Sequence, residues 1–441
     1  MFEQSATESP AVARVRSMTA ELMSGHEGLD DAERIDMLRA LEELKCAGAG
    51  AQATVTADFV ASQLTEQAAA GVRAQRRGRG IASQVGLARR VSPARAQQLV
   101  GFATVVRREM PATYDALRTG RTTERAAISM VQETACLALP DRQEVDRRIA
   151  GDPDVIERMS EKQIIGSARA TVAELDPAAV AERRRRAEAD RTVTTKPAPD
   201  TMMWLTSLLP VKEGVAAWAV LSREADRKRA AGDPRSRGQI MADTLRDRIL
   251  GVSSDDEPAP APALMINVIV PDSVLLGDDD GVGWVQDYGP VPGDLLRQWI
   301  AQNAEDGVGQ WVRRLYASPT TGELVAMDSK AEKFDGRLAE YLRLRDQICR
   351  TPYCDARIRN LDHIKRKADG GPTSALNGQG TCETCNQAKE GWGWSARPRP
   401  GPNGEHVVEI VTPTGHRFTS TPPTWSIKER GLRMEIFGLI A

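Results

Sequence analysis

The stretch CRTPYCDARIRNLDHIKRKADGGPTSALNGQGTCETCNQAK, residues 349–389, decides how this chain is interpreted. Two cysteines open it, Cys349 and Cys354, and two close it, Cys382 and Cys385. Two pairs of thiolates are the ligand set that holds a tetrahedral structural zinc ion. The interval between the pairs is longer than a plain zinc ribbon needs. We therefore expect a four-cysteine zinc site that frames a small insert, and we expect the insert to carry the chemistry.

Four features of this stretch occur in the order found in the HNH nucleases, which it resembles. They are the paired-cysteine frame, an acidic residue before His363, the asparagine Asn377 after a Gly-Gly turn, and the sequence Cys-x-x-Cys-Asn-x-x-Lys. The resemblance implies a small ββα-metal unit that cleaves DNA. The segments VPGDLLRQWIA and RLAEYLRLRDQICRTPYC, after a helical N-terminal region, are also similar to actinobacterial HNH proteins with a large helical domain of unknown function, the 13E12-repeat-like group.

The resemblance gives the residues of the motif their expected roles in phosphodiester hydrolysis. His363 is the expected general base, because a neutral imidazole accepts a proton near physiological pH. Asp362 and Asn386 are the expected oxygen ligands of a catalytic Mg²⁺ or Mn²⁺, which neutralises phosphate charge and assists the leaving oxygen. Asn377 is the second expected catalytic residue, because it fixes the loop between the strands and so orients His363.

Two residues depart from the family pattern. Asn386 stands where the family more often has histidine, and its neutral carbonyl oxygen should bind a soft transition metal less well. Gly378 stands where the family usually has a large aliphatic residue, which predicts different local packing. In addition, regular strand alternation would send Asp362 and His363 to opposite faces, so we expect the strand to end or kink there.

Basic residues of the motif are the expected contacts to DNA. Lys365, Arg366 and Lys367 follow the expected base and are placed to track a phosphate backbone, although an ordinary solvated turn is an equally good interpretation. Lys389 is expected to approach a phosphate beside the metal. Residues 330–400 carry 14 Lys+Arg against 9 Asp+Glu, whereas the whole chain has a formal net charge of -2. Any basic surface is therefore local.

The remaining composition bears on size and compartment. A length of 441 residues allows two or three domains at roughly 150 residues each. Cys46 and Cys136, outside the zinc pattern, lie in Ala-rich helical stretches, so buried reduced thiols are expected. There is no run of 18 apolar residues, and the N-terminal residues do not predict a secretory signal. We expect a cytoplasmic protein that does not associate with membranes; a homo-oligomer is compatible with the sequence, which does not specify one.

The order of segments predicts an α+β chain, mainly helical at its N-terminus, with a small zinc-stapled ββα-metal domain after it. The long helix expected from Ala32 follows from apolar residues at helical spacing. The expected segments are a flexible N-terminus (1–30), a helical domain (31–252), a linker (253–263), a connecting α/β segment (264–329), the nuclease domain (330–396) and a C-terminal tail with a hairpin (397–441).

Local signals predict several smaller elements. Ser92 before Pro93, and Thr123, are expected helix caps, and a hairpin is expected over 191–209. The succession of short helices resembles a helix-turn-helix, but an ordinary helical bundle is favoured. The arginine run 183–186 is interpreted as a solvated face rather than a phosphate site.

Four aromatic or imidazole side chains near the C-terminus receive structural interpretations. His406 and His416 are expected at the surface. Trp392 and Trp394 are expected to cap a small core rather than stack on bases.

Metal-dependent DNA cleavage, most simply nicking because one site acts on one strand at a time, is the favoured function. One alternative is a zinc-stabilised DNA-binding or regulatory protein in which Asn386 and Gly378 mark a decayed site. Another is a helical interaction protein with the nuclease as a minor effector. A redox role for the cysteines is disfavoured, because such a role would not need the second pair.

Overall fold

The computed structural model describes residues 8–22, 24, 27–251, 265–271, 274, 280–286, 288–305, 311–316, 334–402, 404–423 and 433–440. The chain forms two compact units. One comprises Met1–Arg183 with Ala326–Pro423, and the other comprises Arg184–Val325 with Thr424–Ala441. The beginning of the helical region and the cysteine-rich stretch therefore belong to the same unit. The domain ranges expected from the sequence are drawn differently, and they stay a prediction.

Helices fill the N-terminal part of the first unit. Asp30, Ser92 and Thr123 each accept a hydrogen bond from a backbone N–H in the first turn of the helix that follows, so the two predicted caps are confirmed. The helices described are α1 (Pro10–Glu21), α2 (Asp31–Ala69), α3 (Ile81–Arg89), α4 (Pro93–Glu109), α5 (Pro111–Arg118), α6 (Glu124–Glu133), α7 (Leu139–Ala150), α8 (Pro153–Arg158), α9 (Glu161–Leu175) and α10 (Pro177–Ala189).

Helix α1 lies within residues 1–30, for which flexibility stays a prediction. The hydroxyl of Ser9 accepts a hydrogen bond from the backbone N–H of Val12, and Pro10 occupies the first turn. None of its side chains is buried, so local start chemistry rather than packing specifies this helix. The remainder of the prediction, at residues 1–7, 23, 25 and 26, lies outside the described residues.

Two apolar cores hold the helices together. Helices α2, α4, α5 and α6 share the first core, in which Cys46 is buried as predicted beside Leu99, Phe102 and Leu117. Helices α5 to α9 share the second core, whose largest members include Met110, Met130, Ile156 and Ile164, and Cys136 is only partly buried against it. The long helix α2 and the helical bundle are therefore confirmed.

The second unit contains a hairpin, two paired helices and a sheet whose neighbouring strands include ones distant in sequence. The hairpin is β1 (Thr192–Ala198) with β2 (Met202–Leu208), and the helices are α11 (Val211–Ala230) and α12 (Arg237–Leu250). The remaining elements are β3 (Met265–Pro271), β4 (Val282–Val285), β5 (Gly289–Pro292), α13 (Gly293–Glu305), β6 (Trp311–Tyr316) and β12 (Arg433–Ile440). The strands form an antiparallel sheet in the order β5-β4-β3-β12-β6, and α13 accompanies it. The predicted linker at 253–263 and a strand expected near 323–327 lie outside the described residues.

The cysteine-rich part of the first unit is a ββα arrangement followed by a sheet. Helix α14 (Gly336–Asp346) leads into it; β7 (Asn360–His363) pairs antiparallel with β8 (Gly378–Thr381), and α15 (Glu383–Lys389) follows. The sheet has the order β11-β10-β9 and consists of β9 (Ser395–Pro400), β10 (His406–Val411) and β11 (Arg417–Ser420). The predicted C-terminal hairpin is confirmed by the pairing of β10 with β11.

This strand-rich part shares an apolar core with the helical region. Leu87 of α3 is buried together with Ile364, Val408 and Phe418 in one cluster, and Trp394 belongs to it as predicted. Trp392, by contrast, is 38% exposed, so the core prediction is wrong for that residue. A Cβ atom at Gly80, whose φ of +83° already favours glycine, would collide with the indole nitrogen of Trp394.

Candidate active site within a four-cysteine frame

The four cysteines predicted to bind zinc converge on one point. Cys349, Cys354, Cys382 and Cys385 are all buried, and their Sγ atoms all lie within 4.8 Å of one another. The Sγ atoms of Cys354 and Cys382 are 3.7 Å apart, close to the edge of about 3.8 Å of a tetrahedron with zinc–sulfur bonds of about 2.3 Å. The donor set and its spacing fit a closed tetrahedral metal site, and such a site leaves no position for a substrate.

The thiols act electrostatically as a group. Hydrogen bonds from Cys349, Cys354 and Cys385 lower the pKa of the Cys382 thiol. The backbone N–H of Cys385, in the first turn of α15, also donates to the Cys382 sulfur at 3.4 Å. This frame ties the start of α15 to the segment before β7, where Cys349 N–H donates to Ala356 O at 2.9 Å. It therefore fixes the helix beside the two strands.

Strand β7 ends at His363, where the sequence predicts that it ends or kinks. Asp362 pairs with Gln379 and His363 pairs with Gly378 as the last two positions of the ladder. Ile364 is then buried in the core shared with α3. The chain leaves the strand directly after His363, as the expected break in alternation demanded.

Asn377 fixes the loop that joins β7 to β8. Its side chain is buried, with Oδ1 accepting from Lys365 N–H at 2.8 Å and Nδ2 donating to Lys365 O at 3.0 Å and to Pro372 O at 2.8 Å. Its backbone carbonyl also accepts from Ile364 N–H at 2.8 Å. One side chain thus holds the residues on both sides of the loop, which is the arrangement that its expected role requires.

His363 is half-buried at the end of β7. Its Nε2 atom lies 2.9 Å from the hydroxyl of Thr373, and its ring centroid lies 4.5 Å from that of Phe334. Burial lowers the pKa of His363, and the nearby ammonium groups of Lys367 and Lys389 lower it further against the opposing effect of Asp362. The imidazole is therefore neutral at physiological pH. Sequence reasoning did not find Thr373 or Phe334, because neither is among the four features that carry the resemblance.

Lys389 turns inward toward the candidate metal ligand. Its ammonium forms an ion pair with Asp362 and donates a hydrogen bond to the carbonyl oxygen of His363. The lysine is 9% exposed. Asp362 Oδ2 is itself buried and, despite this ion pair, has no well-aligned hydrogen bond within the described residues. The expected contact of Lys389 with a phosphate requires the ammonium to leave this pair.

Asn386 and the basic triplet occupy different surroundings. Asn386 lies on α15 and is half-buried, and no hydrogen bond joins its side chain to Asp362 or His363 in the described part of the chain. Lys365 and Lys367 are exposed in the turn after β7. Arg366 pairs with Glu390 at 3.2 Å and donates to Lys389 O at 3.1 Å. The structure therefore joins Lys389 to the side chain of Asp362 and to the backbone of His363, and of the other predicted residues Arg366 contacts Lys389.

The packing at Gly378 explains the departure from a large aliphatic residue. A Cβ atom there would lie 2.6 Å from Leu342 Cδ1 and 2.8 Å from Phe334 Cε1. Leu342 of α14 is fully buried, and Phe334 also contacts the His363 ring. These two side chains fill the space that an aliphatic residue at this position would occupy, so glycine here reflects a rearranged packing of the same strand pair.

A buried ionic network supports the ββα unit from the side of α14. Asp346 pairs with Arg345 at 2.7 Å and Arg350 at 2.9 Å, and accepts from Gly380 N–H of β8 at 2.7 Å. Burial alone would raise the pKa of Asp346, but the two guanidinium groups hold it below its usual value. The expectation that His406 is at the surface is wrong, because it is buried against Arg350, with Nε2 2.8 Å from Leu376 O.

Two antiparallel strands, a helix and a four-cysteine frame, with Asp-His at the end of the first strand, define a ββα-metal nuclease type of site. Residues 347–391 match the family model of the HNH endonuclease, and residues 38–294 match that of a domain of unknown function, DUF222. Because the second match spans more than half of the 441 residues, the chain belongs to the DUF222 family, and it carries an HNH endonuclease domain after that region. The resemblance and fold class predicted from the sequence are confirmed.

Comparison with curated proteins and with solved structures gave no match. Of the helices in the described ranges, none combines the length and apolar character needed to cross a lipid bilayer.

Proposed function

We propose that the protein is a metal-dependent endonuclease that hydrolyses phosphodiester bonds of DNA and introduces nicks. The end of β7 carries this proposal. There, the neutral imidazole of His363 follows Asp362 in the chain, and the carboxylate of Asp362 is a buried oxygen donor that the Lys389 ammonium now pairs with. A base and an oxygen ligand side by side are what metal-assisted hydrolysis needs, and the match to the HNH endonuclease model supports the choice of DNA as substrate.

His363 is the general base in this mechanism. When Nε2–H donates to the Thr373 hydroxyl, Nδ1 keeps the lone pair that removes a proton from the attacking water. The Thr373 hydroxyl can accept from this tautomer, and Asn377 holds the loop that follows His363 through its bonds to Lys365. Both are positioning residues, since neither contacts the reacting atoms.

Asp362 and Asn386 would hold the catalytic cation, and Mg²⁺ or Mn²⁺ fits their oxygen donors. Such an ion, when bound, supplies neutralisation of charge on the phosphate and on the leaving oxygen. The four thiolates would hold Zn²⁺ in a structural role. All six cysteines are free thiols, which fits a reducing, cytoplasmic compartment.

One observation favours a second candidate, a zinc-stabilised DNA-binding or regulatory protein without cleavage. The ammonium of Lys389 is paired with Asp362 and so neutralises the carboxylate that a cation would use. In that case the domain would bind DNA without a catalytic cation, and Lys389 alone would hold the end of β7.

Supercoiled plasmid distinguishes the two. We expect purified protein to convert it to relaxed circles with Mg²⁺ or Mn²⁺ and not with a chelator. His363→Ala, purified in the same way, controls for contaminating nuclease. No relaxed circles at any metal concentration, with DNA binding retained, would establish the second candidate instead.

A further inference from the structure

A basic cleft lies between the helical region and the end of α15, within the first unit. Its volume is ≈ 590 Å³, and its lining includes Arg73, Arg76 and Arg79 from the segment between α2 and α3. Arg366 and Glu390 line it from the other side. Four guanidinium groups thus face one carboxylate, and the cleft carries a clear excess of positive charge although the whole chain is slightly acidic.

Three arginines of the helical region have no carboxylate partner within the described residues. Arg73, Arg76 and Arg79 are exposed, and none forms an ion pair with any carboxylate in the described ranges. Most exposed arginines of α2 to α9 differ in this respect, since residues such as Arg39, Arg121 and Arg169 are paired with glutamates. Unpaired like charges gathered in a concave site repel one another, and an anion that binds there relieves this repulsion.

The segment that carries these arginines is fixed in place. Gly78 N–H donates to the buried side chain of Gln67 at 2.7 Å, and Arg76 N–H donates to Arg73 O at 2.8 Å in a short 3₁₀ turn. At its end, Gly80 packs so closely on Trp394 that no side chain fits. The guanidinium groups therefore extend from a held backbone, which reduces the entropy lost when they bind a ligand.

Arg366 links the cleft to the candidate active site. Arg366 donates to the carbonyl oxygen of Lys389, and the side chain of that lysine bonds to Asp362 and His363. Trp392, an exposed indole, lies on the same lining. A polyanion held by these arginines would lie against Arg366, one residue-to-residue contact away from Lys389.

We propose that this cleft binds the phosphate backbone of duplex DNA beside the scissile bond, so that part of the DUF222 region acts as a DNA clamp for the nuclease. The inference rests on the proposed function for its choice of DNA. Arginine suits the task because its planar fork pairs with phosphate oxygens through two hydrogen bonds. Contacts of this kind position the duplex without reading its sequence.

The test measures binding of the full-length protein to a fluorescent DNA duplex by anisotropy, without divalent cation, over a series of salt concentrations. We expect the triple variant Arg73→Gln/Arg76→Gln/Arg79→Gln to bind roughly 10- to 100-fold more weakly than the wild type. The slope of log affinity against log salt should become shallower by about 3, because close to one counterion is released per phosphate contact.

Matched variants distinguish an effect of this cleft from an effect of the total positive charge of the protein. Arg14→Gln/Arg108→Gln/Arg158→Gln removes three exposed arginines elsewhere on the first unit and should bind as the wild type does. The triple Arg→Lys variant at 73, 76 and 79 keeps the charge and should retain most of the salt slope. A Lys variant with a salt slope as shallow as that of the Gln variant would show that charge at these positions does not contact phosphate, and it would overturn the inference.

Two further results would overturn it. One is unchanged affinity of the triple Gln variant, even if the protein nicks plasmid; the other is tighter binding of an RNA duplex of the same sequence than of DNA. Failure of the proposed function is distinguished by a separate signature. In that case the arginine variants would change binding as expected, while wild type and His363→Ala would be equally unable to nick plasmid.

Discussion

Lys389 reaches across from α15 and pairs its ammonium with the carboxylate of Asp362, while also donating a hydrogen bond to the carbonyl oxygen of His363. One lysine therefore touches the expected metal ligand and the backbone of the expected base. It places a positive charge where the proposed mechanism requires a divalent cation. In the proposed mechanism the two cations would compete for one carboxylate.

We expect Lys389→Met to lower the Mg²⁺ concentration needed for half-maximal nicking by roughly 10-fold or more, since a charge pair about 4 Å apart is worth about 4 kcal/mol at an effective dielectric constant of 20. Metal titrations at saturating plasmid measure this. Lys365→Met is the matched control, because Lys365 is exposed, and it should leave the requirement unchanged. An unchanged or higher requirement for Lys389→Met would show that the lysine does not exclude the cation.

We expect His363→Ala to reduce the nicking rate by roughly 100- to 10,000-fold, the usual contribution of a general base. DNA affinity and zinc content should stay the same. Asp362→Ala should behave differently, because it removes a ligand and leaves the base, so the metal requirement should rise as well. Equal rates for His363→Ala and wild type at saturating metal would refute the assignment of the base.

The pH dependence of stability should report His406. Burial, with Arg345 and Arg350 close by, lowers its pKa to about 3. Below the unfolded value of about 6.5 the unfolded chain takes up a proton that the folded chain does not, so stability falls as the pH drops, by about 1.4 kcal/mol per pH unit at most. Thermal unfolding between pH 6.5 and 4.5 measures the loss. His406→Gln should flatten the profile, and identical slopes for both proteins would contradict this origin.

We expect Gly378→Leu, which restores the residue type usual for the motif, to damage this protein. Leu342 and Phe334 already fill the space, so the substitution should cost about 1–3 kcal/mol of stability. It should also slow nicking, because Phe334 packs on the ring of His363. Gly101→Ala, at a helical site with nothing within 4 Å of the added carbon, is the control and should not destabilise. Tolerance of leucine with full activity would show that Phe334 and Leu342 repack freely.

We expect one tightly bound zinc per chain, because ligation worth roughly 10–16 kcal/mol compensates for the small core of a ββα unit. Metal analysis after dialysis measures it. Cys354→Ser should lose the metal and the order of α15, whereas Cys136→Ser, at a cysteine outside the cluster, should keep both. Absence of zinc from the wild-type protein would refute the frame.

Local chemistry made part of this structure predictable. The caps at Ser92 and Thr123, the long helix from Asp31 and the cysteine frame each depend on residues a few positions apart or on a fixed ligand count. Helix α1 was predictable too, since Ser9-Pro10 is the same start signal as Ser92-Pro93.

The remainder depends on residues that are distant in sequence. Nothing local to Lys389 indicates that it turns toward Asp362 rather than toward solvent. Likewise, nothing local to Thr373 indicates a contact with His363, because the contact depends on the loop that Asn377 holds. His406 follows a Gly/Pro-rich segment that suggests exposure, but β10 carries it into the interior.

Ile364, the residue after His363, is buried in the same apolar cluster as Leu87 of the DUF222 helix α3. The HNH domain therefore does not have a self-contained core. If it were excised, this face of its core would be exposed to water. A ligand or partner that shifted α3 would act on Ile364, the neighbour of His363, through this shared cluster. The same contact couples the two regions in evolution, since a change in α3 alters the surroundings of the strand that carries His363.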